Sequence, residues 1–396
     1  MITYDHACAL IGALPERTGT ESLPVANAQG RVLARDVVAL LDAPRQTVSA
    51  MDGYAVRDAD LVQLPARLRI LGAVFAGEAG KQQVPEAACV RIFTGAPLPA
   101  GMDRVVIQEH VQREGEIAVF DNAPGIARHI RTQGSDFRSG DALLAAGTRL
   151  SAHGMVAAAG ADLAEVSVFK RPRIAVLSTG DELREPGQAR ADDNGIPESA
   201  SLGAIALAEQ WGATCVHQAR LPDVLETLEQ AAAQALDVAD IVIITGGASV
   251  GERDYAKAMF APHGLELIFS KVAIKPGKPV WLGRAKGKLV LGLPGNPTSA
   301  LVVARLFLAP LLQHMSGADA SSALRWQSAI LAEPMPPGGE REEFVRARWT
   351  NDGRAQPLQN RDSSAQRTLA EAELLLRRPA GAAALQKGEC VPVLRL

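Results

Sequence analysis

Three unbroken apolar runs stand out along the chain, and each ends in a polar segment that carries glycine. Ile241-Val242-Ile243-Ile244 leads into Thr245-Gly246-Gly247-Ala248-Ser249-Val250-Gly251-Glu252-Arg253-Asp254. Ile174-Ala175-Val176-Leu177 leads into Ser178-Thr179-Gly180-Asp181-Glu182, and Leu289-Val290-Leu291 into Gly292-Leu293-Pro294-Gly295-Asn296-Pro297. Short continuous apolar runs predict buried strands, here over 173–178, 240–245 and 288–293. Between them the spacing turns helical. A helix is predicted over about 201–211, stopped by Gly212. Another starts at Asp223, with Glu226 in capping-box register and Leu225, Leu228, Ala232 and Leu236 on one face. A last one opens at Asn296-Pro297, an N-cap followed by proline. Strands alternating with helices predict a three-layer α/β unit from Arg173 to about His314.

Outside that unit the texture differs. Thr3 is placed to cap a first helix whose apolar face is Ala7, Leu10, Ile11 and Leu14. From about Leu41 to Phe137, β-type runs such as Arg67–Leu71 and Arg104–Ile107 alternate with Gly/Pro turns, which predicts a small β-rich unit. Ser151–Gly160 is alanine-rich and helical; packed on the first helix, it would make the β-rich unit an insertion. After Gly317 short strands return, as in Glu343–Ala347 and Cys390–Leu394, consistent with a small terminal barrel.

Composition narrows the class. At 396 residues, 47% hydrophobic and 21% charged, the chain suits several globular domains, and a net charge of −3 gives nucleic acid or an acidic membrane no foothold. Cys8, Cys89, Cys215 and Cys390 are scattered without a CxxC pair, so reduced thiols are expected. No signal-type apolar core follows Met1, and the longest apolar run, Ala300 to Leu312, is interrupted by Arg305 and too short for a bilayer. A cytoplasmic location without a membrane partner is expected.

The chemistry lies in the loops. Glycines just after a strand let backbone N–H groups approach an anion, and three such loops in one α/β unit point to a phosphorylated ligand at the carboxyl ends of the strands. Ser249 and Ser178 supply hydroxyls. Asp181, Glu182 and Asp254 together suit a Mg²⁺ bridging phosphate oxygens. Neither a Walker A loop nor GxGxxG is present, and no histidine pair has zinc-hydrolase spacing. Lys275 and Lys278, on the proline-stiffened segment Ala273–Pro279, are suited to an oxyanion. Asp52 stands alone in Ser49–Val56, Thr94 enters a turn in Arg91–Pro97, and Arg131 and Asp136 bracket Ile130–Asp136.

SAMDGYAV (49–56), RIFTGAPLP (91–99), IRTQGSD (130–136), LSTGDEL (177–183), TGGASVGERD (245–254), AIKPGKP (273–279) and LPGNPTSA (293–300) together resemble the molybdopterin molybdenumtransferase family, MoeA and the gephyrin E domain. The resemblance runs over nearly the whole length. It implies a multidomain fold, α/β plus β: a discontinuous helical dimerisation domain (1–42 and 138–170), a β-rich insertion (43–137), a MogA-like α/β domain (171–317) and a C-terminal β-barrel (318–396). It implies a homodimer with each active site between the α/β domain of one subunit and the β-rich insertion of the other. The implied reaction inserts molybdate into adenylylated molybdopterin, releasing AMP, with Mg²⁺ or Zn²⁺ required. A MogA-type adenylyltransferase and molybdoenzyme maturation proteins are the implied partners.

Loops and resemblance together assign catalytic positions to Asp52, Thr94, Asp136, Glu182 and Asp254, and metal positions to Asp181, Glu182 and Asp254. Substrate binding falls to Arg131, Ser178, Thr179, Gly180, Gly246, Gly247, Ser249, Gly251, Lys275, Lys278, Pro294, Gly295, Asn296, Pro297 and Ser363. Two departures from the family pattern matter. Glu198 and Ala200 stand where it usually has Asp and Asn, and Glu373 where it tends to have Asn. They motivate the alternative of a catalytically weakened paralogue acting as a molybdopterin-binding or scaffold protein.

Overall fold

The computed structural model describes residues 1–79, 83–246 and 255–396. Its main helices are α1 (Tyr4–Gly12), α2 (Ala152–Gly160), α3 (Ala200–Gln210), α4 (Leu225–Val238) and α5, a continuous helix over Pro297–Met315. The central sheet has six strands: β1 (Arg173–Thr179), β2 (Thr214–Leu221), β3 (Ile241–Thr245), β4 (Glu266–Ser270), β5 (Trp281–Ala285) and β6 (Lys288–Leu293). Their order is β2-β1-β3-β6-β5-β4. The first four are parallel, and β5 and β4 add an antiparallel edge.

The unbroken apolar runs form strands because both faces of this sheet are covered. Ile174, Val176, Ile241, Ile243, Leu289 and Leu291 point toward α3 and α5, while Ala175, Leu177, Val242, Ile244 and Val290 point toward α4. Helix α5 contains the apolar run of the sequence but is longer. At 19 residues it is long and apolar enough to cross a membrane, yet 94% of its window is buried inside the protein. Pro310 lacks an N–H for the helical ladder, and the preceding turn, Ala304–Leu308, takes π register.

Helix α1 starts at Thr3, whose hydroxyl accepts from the His6 N–H. It does not pack on α2 as expected. Tyr4, Ala7 and Ile11 are buried in the α/β core with Leu308, Leu311 and Leu312 of α5, and the Tyr4 ring meets Phe307 and Phe344 edge-on. What holds the stretches either side of the insertion together is largely β pairing. Thr20–Pro24 pairs with Glu165–Phe169 and Val37–Val38 with Ala142–Leu144, over a core of Leu33, Val37, Leu150, Ala158 and Val168.

The β-rich stretch is a six-stranded sheet ordered Arg104–Ile107, Gly53–Val56, Ala88–Ile92, Ala66–Val74, Ile117–Phe120 and Gln112–Glu114. At the other end of the chain, Glu342–Trp349, Leu374–Arg378, Cys390–Arg395 and Gln327–Ile330 pair successively antiparallel. Ala355–Pro357 pairs on the outer side of Glu342–Trp349, and a bridge from Ala355 to Leu331 returns to the fourth strand.

Candidate active site

The strand order reverses direction between β1 and β3, since β1 connects outward to β2 and the chain then crosses back. Ligands of open α/β sheets sit at such a point, outside the carboxyl ends of the strands. A cleft of about 430 Å³ opens there, lined by Thr179, Gly180 and Glu182 after β1, Thr245 and Gly246 after β3, and Gly295, Asn296 and Pro297 after β6. The described residues of the three glycine loops, Thr245 and Gly246 in the case of the middle strand, therefore share one cleft.

Glycine is required where they touch. Gly246 has φ +96, and a Cβ there would lie 2.5 Å from the Thr179 carbonyl oxygen. A Cβ on Gly295 would lie 3.3 Å from the Cα of Gly246. Backbone is thus packed on backbone across all three turns. Helix α5 begins at the same spot, with Asn296 as N-cap and Pro297 in its first turn. The Asn296 side chain makes no cap bond. Its amide instead donates to Ser363 Oγ at 2.9 Å, tying the C-terminal region to the cleft rim. The first-turn N–H groups of α5 and its dipole face an incoming anion.

Other assigned residues stand at different distances from this cleft. Ser178 and Pro294 are buried beneath it. Glu182 is in its wall, whereas the Asp181 carboxylate accepts from the Asp223 N–H at 3.0 Å and does not line it. Gly247, Ser249, Gly251 and Asp254 lie outside the described residues. Among the described residues no cluster of three or more His, Cys, Asp or Glu could hold a metal ion. The carboxylates of Glu182 and Asp223 in the wall nevertheless supply oxygen donors only. Mg²⁺ commonly takes one or two carboxylates plus substrate phosphates, so the donor set fits magnesium better than zinc.

Asp223 and Ser199 are cleft residues that sequence reasoning missed. Asp223 was expected to cap α4, but the N-cap is Val224, without a side-chain cap bond. Its signal was its place after β2, the edge strand of the parallel set. The Ser199 hydroxyl is buried without a hydrogen-bond partner among the described residues. Glu198 has a structural occupation: its carboxylate accepts from the Ser201 N–H at 2.8 Å and from the Ser201 hydroxyl, capping α3 from inside the cleft wall. Glu373 likewise accepts from the Trp349 N–H at 2.7 Å and closes a strand end.

Lys275 and Lys278 are exposed and do not line the cleft. Their loop flanks α5, where a Cβ on Gly277 would lie 2.3 Å from Val303. Lys275 Nζ pairs with Glu343 at 3.3 Å, beside Arg346 and Arg361 in a separate hollow.

Asp52, Thr94, Arg131 and Asp136 are all exposed on the β-rich unit. Asp52 and Thr94 touch, Arg131 lies on the strand paired beside them, and Asp136 lies further along, where its N–H donates to Ala43 O. Segments distant in sequence are laced together there: Ser49 pairs with Ile130 and Val48 with Arg131, the Ser49 N–H donates to Ala96 O, and Gly95 N–H donates to Ser49 O. One oxygen of Asp52 accepts from both the backbone N–H and the hydroxyl of Thr94, each at 2.8 Å. Those two bonds hold the Asp52 carboxyl below its ordinary pKa.

A mixed α/β sheet with glycine turns and a helix start around one polar cleft defines a small-molecule-binding α/β protein. Three family models divide the chain among them: MoeA N-terminal region (domain I and II) over residues 2–161, "Probable molybdopterin binding domain" over 175–314, and MoeA C-terminal region (domain IV) over 328–396. The chain belongs to the MoeA family. It is 37% identical over 319 residues to the molybdopterin molybdenumtransferase of Haemophilus influenzae, covering 80% of this chain and 78% of that protein. With the protein of that name from Synechococcus elongatus it is 34% identical over 382 residues, 94% of each chain. The crystal structure of the molybdopterin biosynthesis MoeA protein from Pyrococcus horikoshii OT3 superposes with a TM-score of 0.87 at 27% identity, covering 100% of both chains.

Proposed function

We propose that this chain is a molybdopterin molybdenumtransferase, inserting molybdate into adenylylated molybdopterin with release of AMP. The observation that carries the reading is the contact of three glycine turns at the mouth of the sheet beside an uncapped helix start. The diphosphate lies against the backbone N–H groups of Gly246 and of the first turn of α5, where they stabilise the charge that develops as the anhydride breaks. Glu182, with Asp254, would hold a Mg²⁺, which when bound would supply positive charge against the phosphate group. Lys275 and Lys278 attract molybdate to the flank of α5. A weakened paralogue is not favoured, because the likeness to molybdopterin molybdenumtransferases extends over most of the chain.

The patch around Asp52, Thr94, Arg131 and Asp136 completes the site from a second subunit of a cytoplasmic homodimer. The domain division is read as the resemblance implies it, except that α1 packs into the α/β core; residues 318–396 are read as a barrel, and the bridge from Ala355 to Leu331 supports that closure. A MogA-type enzyme supplies the adenylylated substrate, and maturation proteins take the product. The test is AMP release, followed by chromatography, from adenylylated molybdopterin with molybdate and Mg²⁺. Wild type should release AMP only when molybdate is present, and Asp254→Ala should release none. Turnover by that variant near the wild-type rate would overturn the assignment.

A further inference from the structure

A second cavity, about 620 Å³, lies at the opposite end of the central sheet, where the parallel strands begin. Arg173 opens β1, Asp240 precedes β3 and Lys288 opens β6. Both chain crossings between the α/β unit and the Gly19–Phe169 excursion run along its wall. Thr18 Oγ1 donates to the Lys170 carbonyl at 2.7 Å, and the Lys170 N–H donates to Gly19 O at 2.7 Å.

The charges here do not cancel. Asp240 is taken by the Arg173 guanidinium, at 2.9 Å, and by Lys288 at 3.7 Å. Glu16, the other acid in the wall, is engaged by Arg284. Lys170 and Arg171 have no acidic partner among the described residues, and Arg17 donates to the carbonyls of Leu14 and Glu16 rather than to a carboxylate. The nearby C-terminal carbonyl of α5, Met315 O, is already met by the Thr18 N–H at 2.8 Å. Three like charges around one hollow repel each other, and an anion that fills it relieves that repulsion. Met315 is the one wholly apolar side chain of the wall, and no aromatic ring is present to stack on a base. Charge, then, is what the cavity recognises.

We propose that this cavity binds a phosphate group, as the free ion or as a phosphate monoester, and that binding fastens the two crossings to the base of the sheet. The site is independent of the molybdenum-transfer reading. The test is calorimetric titration of the full chain at low salt with inorganic phosphate and, separately, with AMP. It compares wild type with Lys170→Ala/Arg171→Ala and with Lys170→Gln alone.

Wild type should show a phosphate site that weakens as salt rises. Losing two charge-assisted contacts should raise its Kd about tenfold or more, while AMP-releasing turnover stays at the wild-type rate. The phosphate-dependent rise in melting temperature should shrink in parallel, including in the single variant should the double one fold poorly. AMP displacing phosphate at the Lys170-dependent site would assign a monoester, and failure to displace it would assign the free ion. Equal phosphate affinity in wild type and variants, or no phosphate binding by wild type, would overturn the proposal.

Discussion

At the scale of single residues, the sharpest constraint is Gly246. Its φ of +96 and the 2.5 Å approach of a Cβ to the Thr179 carbonyl leave no room for a side chain. Gly246→Ala should cost about 1–3 kcal/mol of stability through strain alone, read by urea unfolding, and should reduce AMP release further than the lost stability explains. A wild-type midpoint would mean that the turns are not in contact. Asp52 offers a titration. Because its folded pKa is depressed, the stability it contributes is present above the unfolded carboxyl value and is lost as pH falls through the folded one. NMR titration should find the Asp52 carboxyl below the ordinary range and find it moved upward in Thr94→Val, which keeps the backbone bond but loses the hydroxyl.

Among the elements, α5 and the loop at 360–365 form one mechanical unit. Arg346, 5% exposed, donates to the carbonyls of Asn360, Asp362 and Ala365, so Ser363 is held where Asn296 can reach it. Arg346→Met leaves three carbonyls without their donor and should cost on the order of 1–3 kcal/mol. Hydrogen exchange should then quicken in residues 360–365 and the first turn of α5 before it quickens in the central strands. Elements of this kind were unevenly legible in the sequence. β1, β3 and β6 showed as unbroken apolar runs because both their faces are buried, and α5 showed through Asn296-Pro297. The partner of α1 did not, since an apolar stripe says that a helix is covered without saying by what. Asp223 misled because an acid ahead of a helix reads as a cap; only the sheet order brings its loop to the cleft. Glu198 read only as a departure from the usual Asp, because sequence carries no record of the Ser201 N–H it serves.

For the whole molecule, the two polar centres belong to different units of the chain: the cleft to the α/β unit, the Asp52–Thr94 patch to the β-rich one. If each active site joins the cleft of one subunit to the patch of another, two inactive variants should rescue each other. Coexpressed Thr94→Ala and Glu182→Ala chains, assembling at random, should regain about a quarter of wild-type activity, since half the dimers then carry one intact site of two. Mixtures no better than either variant alone would mean that both centres serve the same chain's site.

The crossing at Thr18 and Lys170 has a consequence for engineering. The excursion from Gly19 to Phe169 leaves and re-enters the rest of the protein through neighbouring, hydrogen-bonded positions. Splicing Thr18 to Lys170 through a short glycine joint should therefore yield a trimmed chain in which α1, the central sheet and the C-terminal strands keep their mutual packing.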